Sequence, residues 1–149
     1  MASVVIDDHL LRDILTGERT SDSGGLASGG IANTGLWLFR LCSSFADPDV
    51  AGKLSAPVAG LPPDVQDRFR AQITALPDEI EVLSMRELSW TMALLQQRHR
   101  SQGRGMSAAM FEALAAALRL GAGIAVSTND IGPNFRDSAI VDGIAFNAL

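Results

Sequence analysis

Four acids in this chain have the types and placement that hard-cation chemistry needs. Asp7 and Asp8 follow the β-branched run Val4-Val5-Ile6, and Asp130 follows the run Ile124-Ala125-Val126-Ser127-Thr128. Glu112 lies early in an Ala/Leu-rich segment that leads into that second run. Parallel strands gather functional groups at their carboxyl ends, so acids that close two strands can converge on one edge from distant parts of the chain. Asp7, Glu112 and Asp130, from three elements, are thus the candidates for an oxygen-only cluster. Such a cluster suits Mg²⁺ or Mn²⁺, which hold a water and a phosphate together for in-line phosphodiester cleavage. Taken singly, each acid also has an ordinary structural use. Asp8 can cap the helix that follows it, Glu112 favours a helix start through the macrodipole, and Asp130 suits a turn in Thr-Asn-Asp-Ile-Gly-Pro. Their joint placement at strand ends is what points to a metal.

The elements that must position these acids are legible from periodicity. Val4–Ile6 reads as a strand buried on both faces. Leu10, Leu11, Ile14 and Leu15 repeat at helical spacing until Gly17, where a flexible Gly/Ser-rich loop at about 17–30 begins. Ile31–Thr34 is a short second strand. Leu36 through Phe45 is a helix apolar nearly all round, hence expected to be largely buried, and Asp47-Pro48 ends it. Pro62-Pro63-Asp64 opens a helix with Val65, Phe69, Ile73 and Leu76 inward, closed by Pro77. Ile80–Leu83 is a third strand. A helix from Met85 to about His99 carries Leu88, Met92 and Leu95 and breaks at Gly103-Arg104-Gly105. Ser107 is an N-cap for the helix through Phe111, Leu114, Ala117 and Leu118 to Gly121. Ile124–Thr128 is a fourth strand and, after one more short helix, Ile144–Phe146 a fifth. This alternation predicts one domain over residues 1–149, with a three-layer α/β/α architecture and a mainly parallel central sheet.

Composition bounds the function classes. At 149 residues the chain is long enough for an ordinary core without disulfides or metals. Its charge is −5, so a broad cationic surface for duplex DNA or an anionic membrane is not expected. Eleven of the twelve basic residues are arginine, and Lys53 is the only lysine. The single Cys42 cannot form an internal disulfide, the opening residues lack a basic n-region, and no run approaches a membrane span; a reducing cytoplasm is the expected location.

Val5-Ile6-Asp7-Asp8-His9-Leu10-Leu11-Arg12 looks like the acidic-pair opening of response-regulator receivers. That family also needs an Asp after its third strand and a late lysine, whereas Glu81-Val82-Leu83-Ser84 and the loop residue Lys53 supply neither. A second resemblance covers most of the chain. Asp7-Asp8-His9-Leu10-Leu11 is similar to the opening of PIN domains, Phe111-Glu112-Ala113-Leu114 resembles their aromatic-Asp-Ala-Leu helix, and Ser127-Thr128-Asn129-Asp130 resembles their strand-terminal Thr-x-Asp. The Leu94–His99 segment also resembles the helix that precedes them.

The resemblance implies a metal-dependent endoribonuclease acting on single-stranded RNA, of the VapC-toxin type, often dimeric and neutralised by an antitoxin. Carried over, Asp7, Glu112 and Asp130 are metal-binding and catalytic acids for Mg²⁺ or Mn²⁺, and Thr128 is a nearby polar support. Two departures imply attenuated activity or none. Glu112 stands where the family has Asp, and Leu36-Trp37-Leu38-Phe39-Arg40-Leu41 has no glutamate where the family places one, so that Asp47 or Asp8 is left to substitute. Arg40 there is expected to neutralise a carboxylate or hold a phosphate. The alternative is a catalytically inactive PIN-like module acting through protein–protein contacts. His9 is either a helper that orients Asp7 or a helix-surface or capping residue, His99 reads as a solvated helix end, and Trp37 and Trp90 read as core.

Overall fold

The computed structural model describes residues 2–19, 30–47, 49 and 52–149, so most of the expected 17–30 loop lies outside the described residues. The chain begins with β1 (Ala2–Ile6) and α1 (Asp8–Thr16), which Gly17 closes in the left-handed region at φ 82°. Then follow β2 (Gly30–Thr34), α2 (Gly35–Ala46), the short α3 (Ala56–Ala59), α4 (Pro63–Thr74) and β3 (Ile80–Leu83). The second half holds α5 (Met85–Ser101), α6 (Ala108–Leu120), β4 (Gly123–Val126), α7 (Pro133–Val141) and β5 (Phe146–Ala148). The five strands form one sheet in the order β3-β2-β1-β4-β5, and every pairing is parallel. The three-layer α/β/α expectation holds.

Both faces of the sheet are covered, which is why its strands read as continuous apolar runs. Val5, Ala32, Ile124 and Val126 pack with Trp37, Phe135 and the buried stretch Phe111–Ala117 of α6, whose alanines let the helix approach the sheet closely. Val4, Ile6, Ile31 and Ala125 face the other way, against Leu10, Leu11, Leu15, Leu41 and Phe69. β1 lies at the centre, paired with β2 on one side and β4 on the other. The chain thus builds outward in one direction first and in the opposite direction after α6, and the crevice at the carboxyl ends of β1 and β4 is the topological switch point where such sheets place their sites.

Several expectations are corrected. α2 is not largely buried: Trp37 and Leu41, one turn apart, are its buried residues, and Phe39 on the opposite side is 69% exposed. Only one stripe of a helix can face a sheet, however apolar the remainder. Of the inward set on α4, Phe69 is buried while Val65 and Ile73, like Leu76 just beyond the helix, are half-buried. Trp37 is core, but Trp90 is 76% exposed on α5. β4 stops at Val126 rather than Thr128, because Ser127 turns to the site. β5 starts at Phe146, because Gly143 at φ 72° ends α7 in a turn in which the Ile144 amide bonds to the Ala139 carbonyl.

Candidate metal centre

The register that pairs Ile6 with Ala125 brings Asp7 level with the end of β4. Asp7 is the N-cap of α1: one carboxylate oxygen accepts from the Leu10 amide at 3.0 Å. The other accepts from the Ser127 amide at 3.0 Å and the Ser127 hydroxyl at 2.8 Å. The cap is therefore Asp7, not Asp8, and the hydroxyl that supports the site belongs to Ser127. Thr128, the expected support, is exposed. The carry-over missed by one residue because β4 ends earlier than its apolar pattern suggests; the signal was that Ser127 is the first hydroxyl after the run. Asn33, also missed, is fully buried and donates to the Ile6 carbonyl at 2.8 Å, securing the end of β1.

Asp130 meets the Asp7 side chain, but among the described residues the ligand atoms that gather within 4.8 Å of one another are those of Asp8, His9 and Asp130, and the predicted trio Asp7, Glu112 and Asp130 does not close to that distance. Burial, first, and then the carboxyl contact with Asp130 push Asp7 up from 3.8 to about 8, against hydrogen bonds from Leu10 and Ser127 that pull it down. Burial beside a second acid disfavours the charged form, so the Asp7 carboxyl holds its proton to higher pH than a free one. The linkage has a definite sign. The folded Asp7 binds its proton more tightly than the unfolded one, so the stability that this pair contributes is complete below about pH 4 and is lost as the pH rises through about 8. In chelator, denaturant midpoints should fall between pH 5 and 8.5, and Asp7→Asn should flatten that slope; equal slopes for the two proteins would contradict the raised Asp7 carboxyl.

Asp8, fully buried, is gripped by Arg40 of α2. The guanidinium Nε and Nη2 take its two oxygens, the second at 2.7 Å, and the same Nη2 reaches Asp130 Oδ2 at 2.7 Å. The Asp8 hydrogen bond, reinforced by both carboxylate charges, holds Arg40 above its ordinary value. Arg40 thus forms ion pairs with two carboxylates, those of Asp8 and Asp130. His9 is buried at 6% exposure, not on the helix surface, and burial pulls its pKa down. One ligand atom from each of Asp8, His9 and Asp130 lies within 4.8 Å of the others.

Glu112 is fully buried in α6, with Oε1 accepting from the Leu36 amide at 2.8 Å. It thereby caps α2, whose own N-cap Thr34 makes no side-chain bond. Its Oε2 has no hydrogen-bond partner among the described residues. Asp47 is exposed at the far end of α2 and does not replace the missing glutamate. His99, expected as a solvated helix end, is fully buried: Arg104 Nε donates to its Nδ1 at 3.0 Å, so Nε2 carries the proton toward Asp142 Oδ2 at 2.8 Å, tying α5 to the end of α7.

No protein-family model matches the chain, and no curated protein matches it. Among solved structures, FitAB bound to an IR36 DNA fragment is similar with a TM-score of 0.58 at 14% identity, over 97% of this chain and 94% of that one. FitAcB from Neisseria gonorrhoeae is similar with a TM-score of 0.53 at 13% identity, over 97% and 96%. Among the described residues no helix is long and apolar enough to cross a membrane. At these identities the likeness is one of fold, and that fold is the PIN-like three-layer α/β/α arrangement around an all-parallel sheet.

Proposed function

We propose that the protein is an attenuated, metal-dependent endoribonuclease acting on single-stranded RNA, the substrate class that the PIN resemblance implies. The observation that supports this reading is the Asp7–Asp130 contact, two buried carboxyls brought together beyond the ends of adjacent strands. Asp7, Asp130 and Glu112, the last through an Oε2 without a partner among the described residues, are the proposed ligands for Mg²⁺ or Mn²⁺ and the proposed catalytic acids. A cation held there supplies Lewis acidity and lowers the pKa of water for in-line hydrolysis, without a covalent intermediate. The chain's own part is positioning: three hydrogen bonds fix Asp7, and Arg40, half-exposed, offers a guanidinium to a phosphate oxygen. Attenuation follows from the same residue, since Arg40 brings a positive charge where the family has a carboxylate.

The test is Mn²⁺-dependent cleavage of a mixed-sequence, end-labelled single-stranded RNA. The wild type should cleave slowly with Mn²⁺ and stop in chelator, and Asp130→Asn should be slower by at least about ten-fold. Cleavage indifferent to both chelator and Asp130→Asn would refute the reading.

A second reading, an inactive PIN-like binding module in the cytoplasm, is favoured by the exposed apolar residues Trp90 and Leu94, one turn apart on α5. An antitoxin-like protein or a second copy forming a homodimer would cover them. No cleavage under any metal, with self-association or partner capture lost in Trp90→Asp, is its expected signature.

A further inference from the structure

Asp8 and Asp130 are buried carboxylates that a positive charge must accompany, and Arg40 supplies one. Beside them lies His9, 6% exposed, with a ring nitrogen within 4.8 Å of ligand oxygens of both acids. A guanidinium cannot satisfy it fully, because it only donates, while a neutral imidazole offers a lone pair as well as an N–H. A divalent cation would accept that lone pair together with one oxygen from each acid. Arg40 is free to give way, since its side chain is 45% exposed and its ion pairs are its only hydrogen bonds among the described residues.

We propose that Asp8, His9 and Asp130 form a second cation seat, of mixed oxygen and nitrogen ligands, and that the Arg40 guanidinium occupies it whenever no metal is bound. The ligand chemistry selects a cation that accepts imidazole, Mn²⁺ ahead of Mg²⁺. The seat shares Asp130 with the proposed hydrolytic centre but uses neither Asp7 nor Glu112, and it does not depend on RNA cleavage. Arg40 and the metal are mutually exclusive there, so the arginine sets the metal concentration at which the seat fills.

The experiment uses Mn²⁺ alone as probe. Pulsed electron paramagnetic resonance on the wild-type protein should show nitrogen coupling to bound Mn²⁺, lost in His9→Gln, a readout that needs no destabilised variant in its first arm. Calorimetric titration should show Arg40→Gln binding Mn²⁺ tighter than the wild type by at least about ten-fold, since a competing charge is gone. Bound Mn²⁺ without nitrogen coupling, or an Arg40→Gln affinity no higher than wild type, overturns the proposal. If Mn²⁺ binding depends on Asp7 but shows no nitrogen coupling, the hydrolytic reading stands and this seat falls. If nitrogen coupling is present and Asp7→Asn binds as the wild type does, the seat stands and the hydrolytic ligand set falls. No Mn²⁺ binding at all removes both.

Discussion

Arg40→Ala is expected to lower the unfolding free energy of the metal-free protein by about 2–3 kcal/mol, somewhat under the roughly 3–5 kcal/mol seen when one partner of a fully buried pair is removed. The cost arises on the other side of the ion pairs. Asp8 is fully buried and Asp130 nearly so, and without the guanidinium both must either stay charged in a poorly solvated site or take up protons. The discount reflects the half-exposed arginine, whose loss opens a path for water. Millimolar Mn²⁺ should restore most of the stability in urea unfolding, because a divalent cation serves the same two carboxylates. An Arg40→Ala protein as stable as the wild type in chelator would mean that these ion pairs do not hold the site.

The second large effect separates the two duties of Glu112. Glu112→Ala removes a fully buried side chain and leaves the Leu36 amide at the start of α2 without an acceptor, with no help from Thr34. An orphaned buried donor plus the space left behind is expected to cost roughly 2–4 kcal/mol. Glu112→Gln retains an oxygen for Leu36 and most of the volume, so it should unfold within about 1 kcal/mol of the wild type. Metal affinity reads the other duty. If Glu112 contributes charge to a cation, Glu112→Gln should bind Mn²⁺ more weakly than the wild type at unchanged stability. If it is a helix cap alone, Glu112→Gln should bind Mn²⁺ as well as the wild type does.

These two residues also show what sequence can and cannot carry. The strand ends that bear Asp7 and Asp130 were legible because parallel strands buried on both faces leave unbroken apolar runs, and the alternation with helices dictates where those ends gather. The charge logic of Arg40 was legible too, since a cation in place of a glutamate among acids has few other uses. What escaped was anything that one residue of register decides. Ser127 rather than Thr128 meets Asp7 because β4 stops early to make that contact, a choice visible only once β1 and β4 are paired. Glu112 could be placed on its helix, but that it caps α2 depends on how α6 crosses the sheet. His99 lies in an arginine-rich stretch that reads as a solvated helix end, and only Asp142, more than forty residues later, makes its burial affordable. Trp90 looks like core by type and is exposed by geometry, because α5 already spends Leu88 and Leu95 on the interior.

The central claim is that the acids at the β1–β4 switch point form a cation site. Calorimetric titration of Mn²⁺ into the wild type and Asp130→Asn at physiological ionic strength tests it most directly, because Asp130 touches Asp7, Arg40 and the Asp8–His9 cluster alike. The expected result is saturable binding by the wild type and none by Asp130→Asn, with both proteins folded. Equal binding by the two, or none by the wild type at millimolar metal, would contradict the claim and leave a PIN-like fold in which Asp8 and Asp130 serve as counter-ions to Arg40.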